Sequence, residues 1–105
     1  MAQVPDKILK IINDFIREAA KDNIPIQQAV LFGSYSKGTY DEWSDIDLAV
    51  VSDRFDGNSI YDALKLLDSK RKVSIDLELH PYRPEDFSQD NPFVAEILEQ
   101  GVRIL

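Results

Sequence analysis

A chain of 105 residues with 19 acidic and 12 basic side chains, a formal charge of −7, 44% hydrophobic residues and no cysteine has the make-up of one globular domain with a single modest core. That composition excludes disulfide scaffolds, thiolate nucleophiles and cysteine-ligated zinc, and the negative charge opposes non-specific binding to nucleic acid. No apolar run approaches the roughly 20 residues that cross a bilayer and MAQVPDKILKIINDF is unlike a secretory leader, so the chain reads as a soluble, cytoplasmic protein without membrane contact.

Pro5 suits a first helical turn, and Ile8, Ile11/Ile12, Phe15/Ile16 and Ala19 recur at three-to-four spacing, predicting an amphipathic helix to about Lys21 that Asn23 and Pro25 close. From about Gln28 the run Ala29-Val30-Leu31-Phe32 predicts a short buried strand that stops at Gly33. A Gly-Ser loop follows. SDIDLAVVS, Ser44 to Ser52, reads as a second strand, and Gly57-Asn58-Ser59 as the start of a helix with Ile60, Ala63/Leu64 and Leu67 for its apolar stripe. Lys70-Arg71-Lys72 reads as a solvated turn. In VSIDLELH, Val73, Ile75, Leu77 and Leu79 alternate with Ser74, Asp76, Glu78 and His80, the period of a third strand with one wet face. PYRPED is a loop; Asn91-Pro92 caps a last helix with Phe93, Ile97 and Val94/Leu98 inward; Gly101 ends it and VRIL suits a terminal strand. No repeat or linker interrupts this order, so residues 1–105 are expected to be one α+β domain on a small mixed sheet.

The chemistry concentrates between Leu31 and Val50. Two carboxylates, Asp45 and Asp47, stand one residue apart inside an apolar run, and on a strand they project to one face about 7 Å apart while Ile46 and Leu48 enter the core. Unpartnered carboxylates there are costly, and a bound cation is the natural compensation. Asp76 faces the polar side of the third strand and can complete a three-carboxylate cage for Mg²⁺, although Glu78 shares its face and could serve instead. Upstream, Gly33 leaves backbone N–H groups open to phosphate oxygens; Ser34 and Ser36 can add hydroxyl donors, and Lys37 lies in the same turn. His80 has no histidine partner and reads as a surface or hydrogen-bonding residue at the end of the strand, though its parity permits a supporting role behind the carboxylates. Tyr40 and Trp43 could stack on a base or fold down over the core edge, and Asp41 and Glu42 read as solvated.

GSYSKG (Gly33 to Gly38) followed by SDIDL (Ser44 to Leu48) resembles the signature of the minimal nucleotidyltransferases of the polymerase-β superfamily, usually GS-x-A-x-G before SDIDL, with Ser36 where the family has alanine. The third carboxylate in SIDLEL and the closing NPFVAEILEQGVRIL extend the resemblance. It implies a polymerase-β-like fold with helices mainly on one face of the sheet. Gly33 and Ser34, with Ser36 and Lys37 beside them, would hold a triphosphate. Asp45 and Asp47 would bind two Mg²⁺ ions, and Asp76 the one that activates the acceptor. The implied reaction moves a nucleotidyl group, AMP from ATP or another triphosphate, onto an acceptor hydroxyl. The resemblance also implies a partner, a small helical HEPN-type toxin with an acceptor tyrosine, and hence an antitoxin role. The alternative is a non-catalytic antitoxin that neutralises its partner by occlusion. Homo-oligomerisation stays open.

Overall fold

Apolar side chains at three-to-four spacing bring the first helix down onto a sheet. The structure is a computed structural model that describes residues 4–41 and 43–105. Its elements are α1 (Asp6–Lys21), β1 (Gln28–Phe32), α2 (Ser34–Lys37), β2 (Ile46–Val51), α3 (Ser59–Lys65), α4 (Leu67–Val73), β3 (Leu77–Tyr82), α5 (Pro92–Gln100) and β4 (Val102–Arg103), with a 3₁₀ turn at Pro84–Asp86. Helix α1 buries Ile8, Ile12, Phe15 and Ala19 along one face. Each large side chain among them stabilises the fold by about 1.5–3 kcal/mol, which outweighs the missing side-chain N-cap at Pro5. Asn23 then takes a left-handed conformation (φ 65°) that turns the chain back toward the sheet.

The strands lie in the order β3-β2-β1-β4. β1 runs antiparallel to β2 and to β4, whereas β2 and β3 are parallel, so the sheet is mixed as expected. Leu31, Leu48 and Val50 face α1 in the larger core, while Val30, Ala49 and Val51 face Val94 and Ile97 of α5 in a smaller one. Both faces of the central strands are therefore covered, which is why their sequences run apolar without alternation. The larger core sits on the α1 face, and α5 closes part of the other. The uncovered remainder of that second face holds the carboxylates.

Three expected elements differ in the structure. Ser34–Lys37 is a single helical turn rather than an open loop. The helix that begins after Asn58, whose side chain accepts from Ile60 N and Tyr61 N, is broken at Leu66 into α3 and α4. Its apolar stripe also faces outward: Ile60 is 71% and Leu64 59% exposed, while Asp62, Leu66 and Ser69 are buried. Polar pairing sets that rotation. The Asp62 carboxylate accepts from Asp56 N and Gly57 N, both at 2.9 Å, and meets the Lys65 ammonium at 3.3 Å. The Ser69 hydroxyl donates to Asp22 Oδ2 at 2.8 Å and ties α4 to the end of α1. Finally, α4 continues through Lys70-Arg71-Lys72 to Val73, and three cations at its C-terminus complement the helix dipole. β3 therefore starts at Leu77, four residues later than the alternation predicts, and Ile75 lies 80% exposed in the preceding turn.

Asp62→Ala removes two charge-assisted hydrogen bonds from a buried position and is expected to cost about 2 kcal/mol, read as a lowered midpoint in urea denaturation. Ile60→Ser on the exposed side of α3 should leave that midpoint within about 0.5 kcal/mol of the parent.

Candidate active site

The site begins where β1 ends. Gly33 has φ 74° and ψ −146°, a conformation open essentially to glycine alone, and it serves as the N-cap of α2. A glycine there supplies no side-chain acceptor, so the first N–H groups of the turn remain available to a ligand. The missing side chain has a second consequence: a β-carbon at Gly33 would run into Oδ2 of Asp47. The Gly-Ser and Asp-x-Asp segments are thus in van der Waals contact. Ser34 is half-buried at the start of the turn and Lys37 is exposed at its end. Ser36 is buried and its hydroxyl donates to the Gly33 carbonyl at 2.9 Å, so it braces the turn from within.

Asp45 stands exposed just before β2, Ile46 and Leu48 enter the core, and Asp47 is half-buried between them. The register sets Asp47 opposite Phe32 on β1 and Glu78 on β3. Paired residues of parallel strands share a face, so Glu78 stands beside Asp47. Two residues on, His80 reaches back with Nε2 3.5 Å from Asp47 Oδ1. Burial, foremost, and the charges of Glu78 and Asp45 push the Asp47 carboxyl above the usual carboxylate range, against an opposing pull from His80. Asp76 precedes β3 and its carbonyl accepts from Ile46 N at 2.9 Å, which places its backbone alongside Asp45. Its charge bears on Tyr35 of α2, whose phenol is pushed up by burial first and then by Asp76, Tyr40 and Asp41. Of the two acidic residues that the sequence leaves open for a third position, Glu78 is the neighbour of Asp47 and Asp76 lies nearer Asp45.

Among the described residues, no three His, Asp or Glu side chains converge on a point that could hold a metal ion. The donor set nonetheless fits a hard divalent cation. Asp45, Asp47, Asp76 and Glu78 offer oxygen ligands only, and the register sets Glu78 beside Asp47. Mg²⁺ typically takes one or two protein carboxylates and completes its octahedron with phosphate oxygens and water.

Side-chain contacts shape the described residues of the surrounding loop. Asp41 is exposed yet organises the turn before β2: its carboxylate accepts from Trp43 N at 2.9 Å and its own N–H donates to Ser44 Oγ at 2.9 Å. Glu42 lies outside the described residues. Tyr40 folds down and stacks on Tyr35 with ring centroids 4.6 Å apart, whereas Trp43 stands 84% exposed. A cleft of about 100 Å³ opens beside Gly33, between Phe32 and Lys37 on one side and Phe93, Glu96 and Gln100 of α5 on the other. Phe93, expected to pack inward, is 49% exposed at its rim. Helical periodicity cannot distinguish a core phenylalanine from one that edges a cleft.

Known proteins share this arrangement of elements. A family model described as a nucleotidyltransferase domain matches residues 12–104. The chain is 30% identical over 100 residues to a protein of Methanocaldococcus jannaschii provisionally named a protein adenylyltransferase, covering 91% of this chain and 96% of that protein. It is 38% identical over 74 residues to the protein adenylyltransferase MntA of Shewanella oneidensis, covering 69% of this chain but 48% of that longer protein. Its fold is similar to a protein of Sulfolobus solfataricus provisionally described as a nucleotidyltransferase, with TM-score 0.62 at 18% identity over 91% of this chain and 78% of that one. A toxin–antitoxin structure containing AMP-PNP aligns with TM-score 0.61 at 29% identity, over 89% of this chain and 71% of that one. The polymerase-β-like expectation is met, and this chain belongs to the nucleotidyltransferase domain family.

Proposed function

We propose that this domain, residues 1–105 acting as one unit, transfers AMP from ATP onto a hydroxyl of a partner protein, most simply a tyrosine of a toxin encoded beside it. The observation that carries the reading is the contact of Gly33 with Asp47, which brings the Gly-Ser turn against the Asp-x-Asp segment. The names of the two adenylyltransferase relatives and the AMP-PNP of the toxin–antitoxin structure support the choice of nucleotide and acceptor.

In this reading the open N–H groups of α2 and the Ser34 hydroxyl hold the triphosphate, with the Lys37 ammonium at the same cleft. Asp45 and Asp47 would hold Mg²⁺, with Asp76 or Glu78 at a third position. The bound metal, as one ion or two, would acidify the acceptor hydroxyl and neutralise charge on the departing pyrophosphate. The acceptor oxygen forms a bond to the α-phosphorus as the bridge to the β-phosphate breaks. Pyrophosphate leaves with the bridging oxygen, and the hydroxyl proton passes to solvent. AMP adds a negative charge and considerable bulk to the partner, which suits a toxin that must admit RNA phosphates, as a HEPN-type ribonuclease would.

A second reading, neutralisation by contact alone, is favoured by one feature. Ile60, Tyr61 and Leu64 are exposed on α3 beside a groove of about 650 Å³ along β3, a surface suited to a protein partner. The intact mass of the co-expressed neighbouring gene product separates the two. Transfer predicts mass increments of whole AMP units that vanish with Asp45→Ala. An unmodified partner that the Asp45→Ala protein still silences would establish occlusion.

A further inference from the structure

The one histidine of the chain occupies an unusual position. His80 lies on β3 opposite Ala49, whose small side chain leaves room on that face for the ring. The ring packs edge-on against Phe32, centroids 4.9 Å apart at 65°, and is flanked by Phe93 at 6.4 Å. Its Nε2 is buried and, among the described residues, makes no hydrogen bond. A buried polar nitrogen left this way is costly, and the acceptor nearest to hand is Asp47 Oδ1 at 3.5 Å. A shift of a few tenths of an ångström brings that pair within hydrogen-bond range. Gly33 sets the opposite limit, since Oδ2 of the same carboxylate fills the space a β-carbon would take.

We propose that His80 is a positioning residue: its Nε2–H holds Oδ1 of Asp47 so that Oδ2 stays turned toward Gly33 and the α2 turn. The inference rests on the reading of Asp47 as a metal ligand. Phe32 and Phe93 fix the imidazole, the imidazole fixes one carboxylate oxygen, and the other oxygen faces the place where phosphate and cation would meet. A carboxylate restrained in this way loses less rotational freedom when it binds an ion, and partners that orient ligands this way are commonly worth 10- to 100-fold in metal affinity.

The test is Mn²⁺ affinity of the nucleotide-free protein, measured by the electron paramagnetic resonance signal of the free ion. His80→Phe keeps a ring between Phe32 and Phe93 but removes the donor, and is expected to weaken Mn²⁺ binding about tenfold. His80→Gln restores an N–H donor at similar reach and should recover affinity to within about threefold of the parent. Mn²⁺ affinity unchanged in His80→Phe, with binding abolished by Asp47→Asn, overturns the role of His80 while leaving the site in place. An equal loss in His80→Phe and His80→Gln also overturns it, because packing rather than the donor would then be responsible. If Asp47→Asn binds Mn²⁺ as the parent does, the metal reading fails and the inference falls with it.

Discussion

Replacing Asp47 with asparagine is expected to reduce nucleotidyl transfer by about 10³-fold or more without unfolding the protein. Several kcal/mol of transition-state charge stabilisation pass through a metal-bound carboxylate, and a neutral amide of the same shape supplies little of it. The effect on stability has the opposite sign. Burial and the charges of Glu78 and Asp45 raise the folded-state pKa of Asp47, so folding favours its protonated form. The stability associated with that raised pKa is fully present below the ordinary carboxylate value and is lost as pH rises through the folded value. At neutral pH the parent therefore carries a destabilising charge that Asp47→Asn lacks. The variant should melt at or above the parent temperature near pH 7 in metal-free buffer, with the difference shrinking as pH falls toward the ordinary carboxylate range. A scan of melting temperature against pH, run beside the transfer assay, checks both halves. A variant that is inactive because it has unfolded would contradict the account.

The second large effect is expected at Gly33. Alanine there must adopt φ 74° with ψ −146°, at a cost of about 1–3 kcal/mol, and its β-carbon must displace Oδ2 of Asp47. Both penalties fall on the candidate active site. A misplacement on the order of 1 Å in a positioned group can cost about 10²-fold in rate, so Gly33→Ala should lose about 10²-fold in transfer along with its loss in urea stability. Gly38, at the other end of the same turn, is also left-handed (φ 76°), and the clash with Asp47 belongs to Gly33. Gly38→Ala should therefore destabilise the protein with a much smaller loss of rate. Comparable losses of rate at the two glycines would show that the contact between Gly33 and Asp47 is immaterial.

The sequence makes the frame of the molecule legible wherever one periodicity dominates. Ile8, Ile12, Phe15 and Ala19 are spaced for one helical face and are the residues α1 buries. Asn91 precedes Pro92 and caps α5 through its side chain, accepting from Phe93 N at 2.9 Å. Where polar pairs decide the packing, periodicity misleads. Ile60 and Leu64 form an apolar stripe by count, yet the bonds of Asp62 to Asp56 and Gly57 turn that stripe to solvent. The alternation of VSIDLELH likewise begins four residues too early, because Val73 belongs to the last turn of α4. The candidate site is proposed from motifs, since Gly33, Asp45 and Asp47 are close in sequence and local spacing brings them together. Cross-strand neighbours are another matter: that Glu78 rather than Asp76 stands opposite Asp47 depends on the parallel register of β2 and β3, which no local spacing reveals. The packing of Phe32 and Phe93 around His80 is lost to sequence for the same reason.

The most direct measurement is a crystal structure of the protein with AMP-PNP and Mn²⁺, using anomalous scattering to locate the metal. The account predicts manganese bound by Asp45 and Asp47, with the triphosphate against the N–H groups of α2 beside Gly33. Manganese distant from Asp47, or a triphosphate seated elsewhere, such as in the groove between α3 and β3, would contradict it.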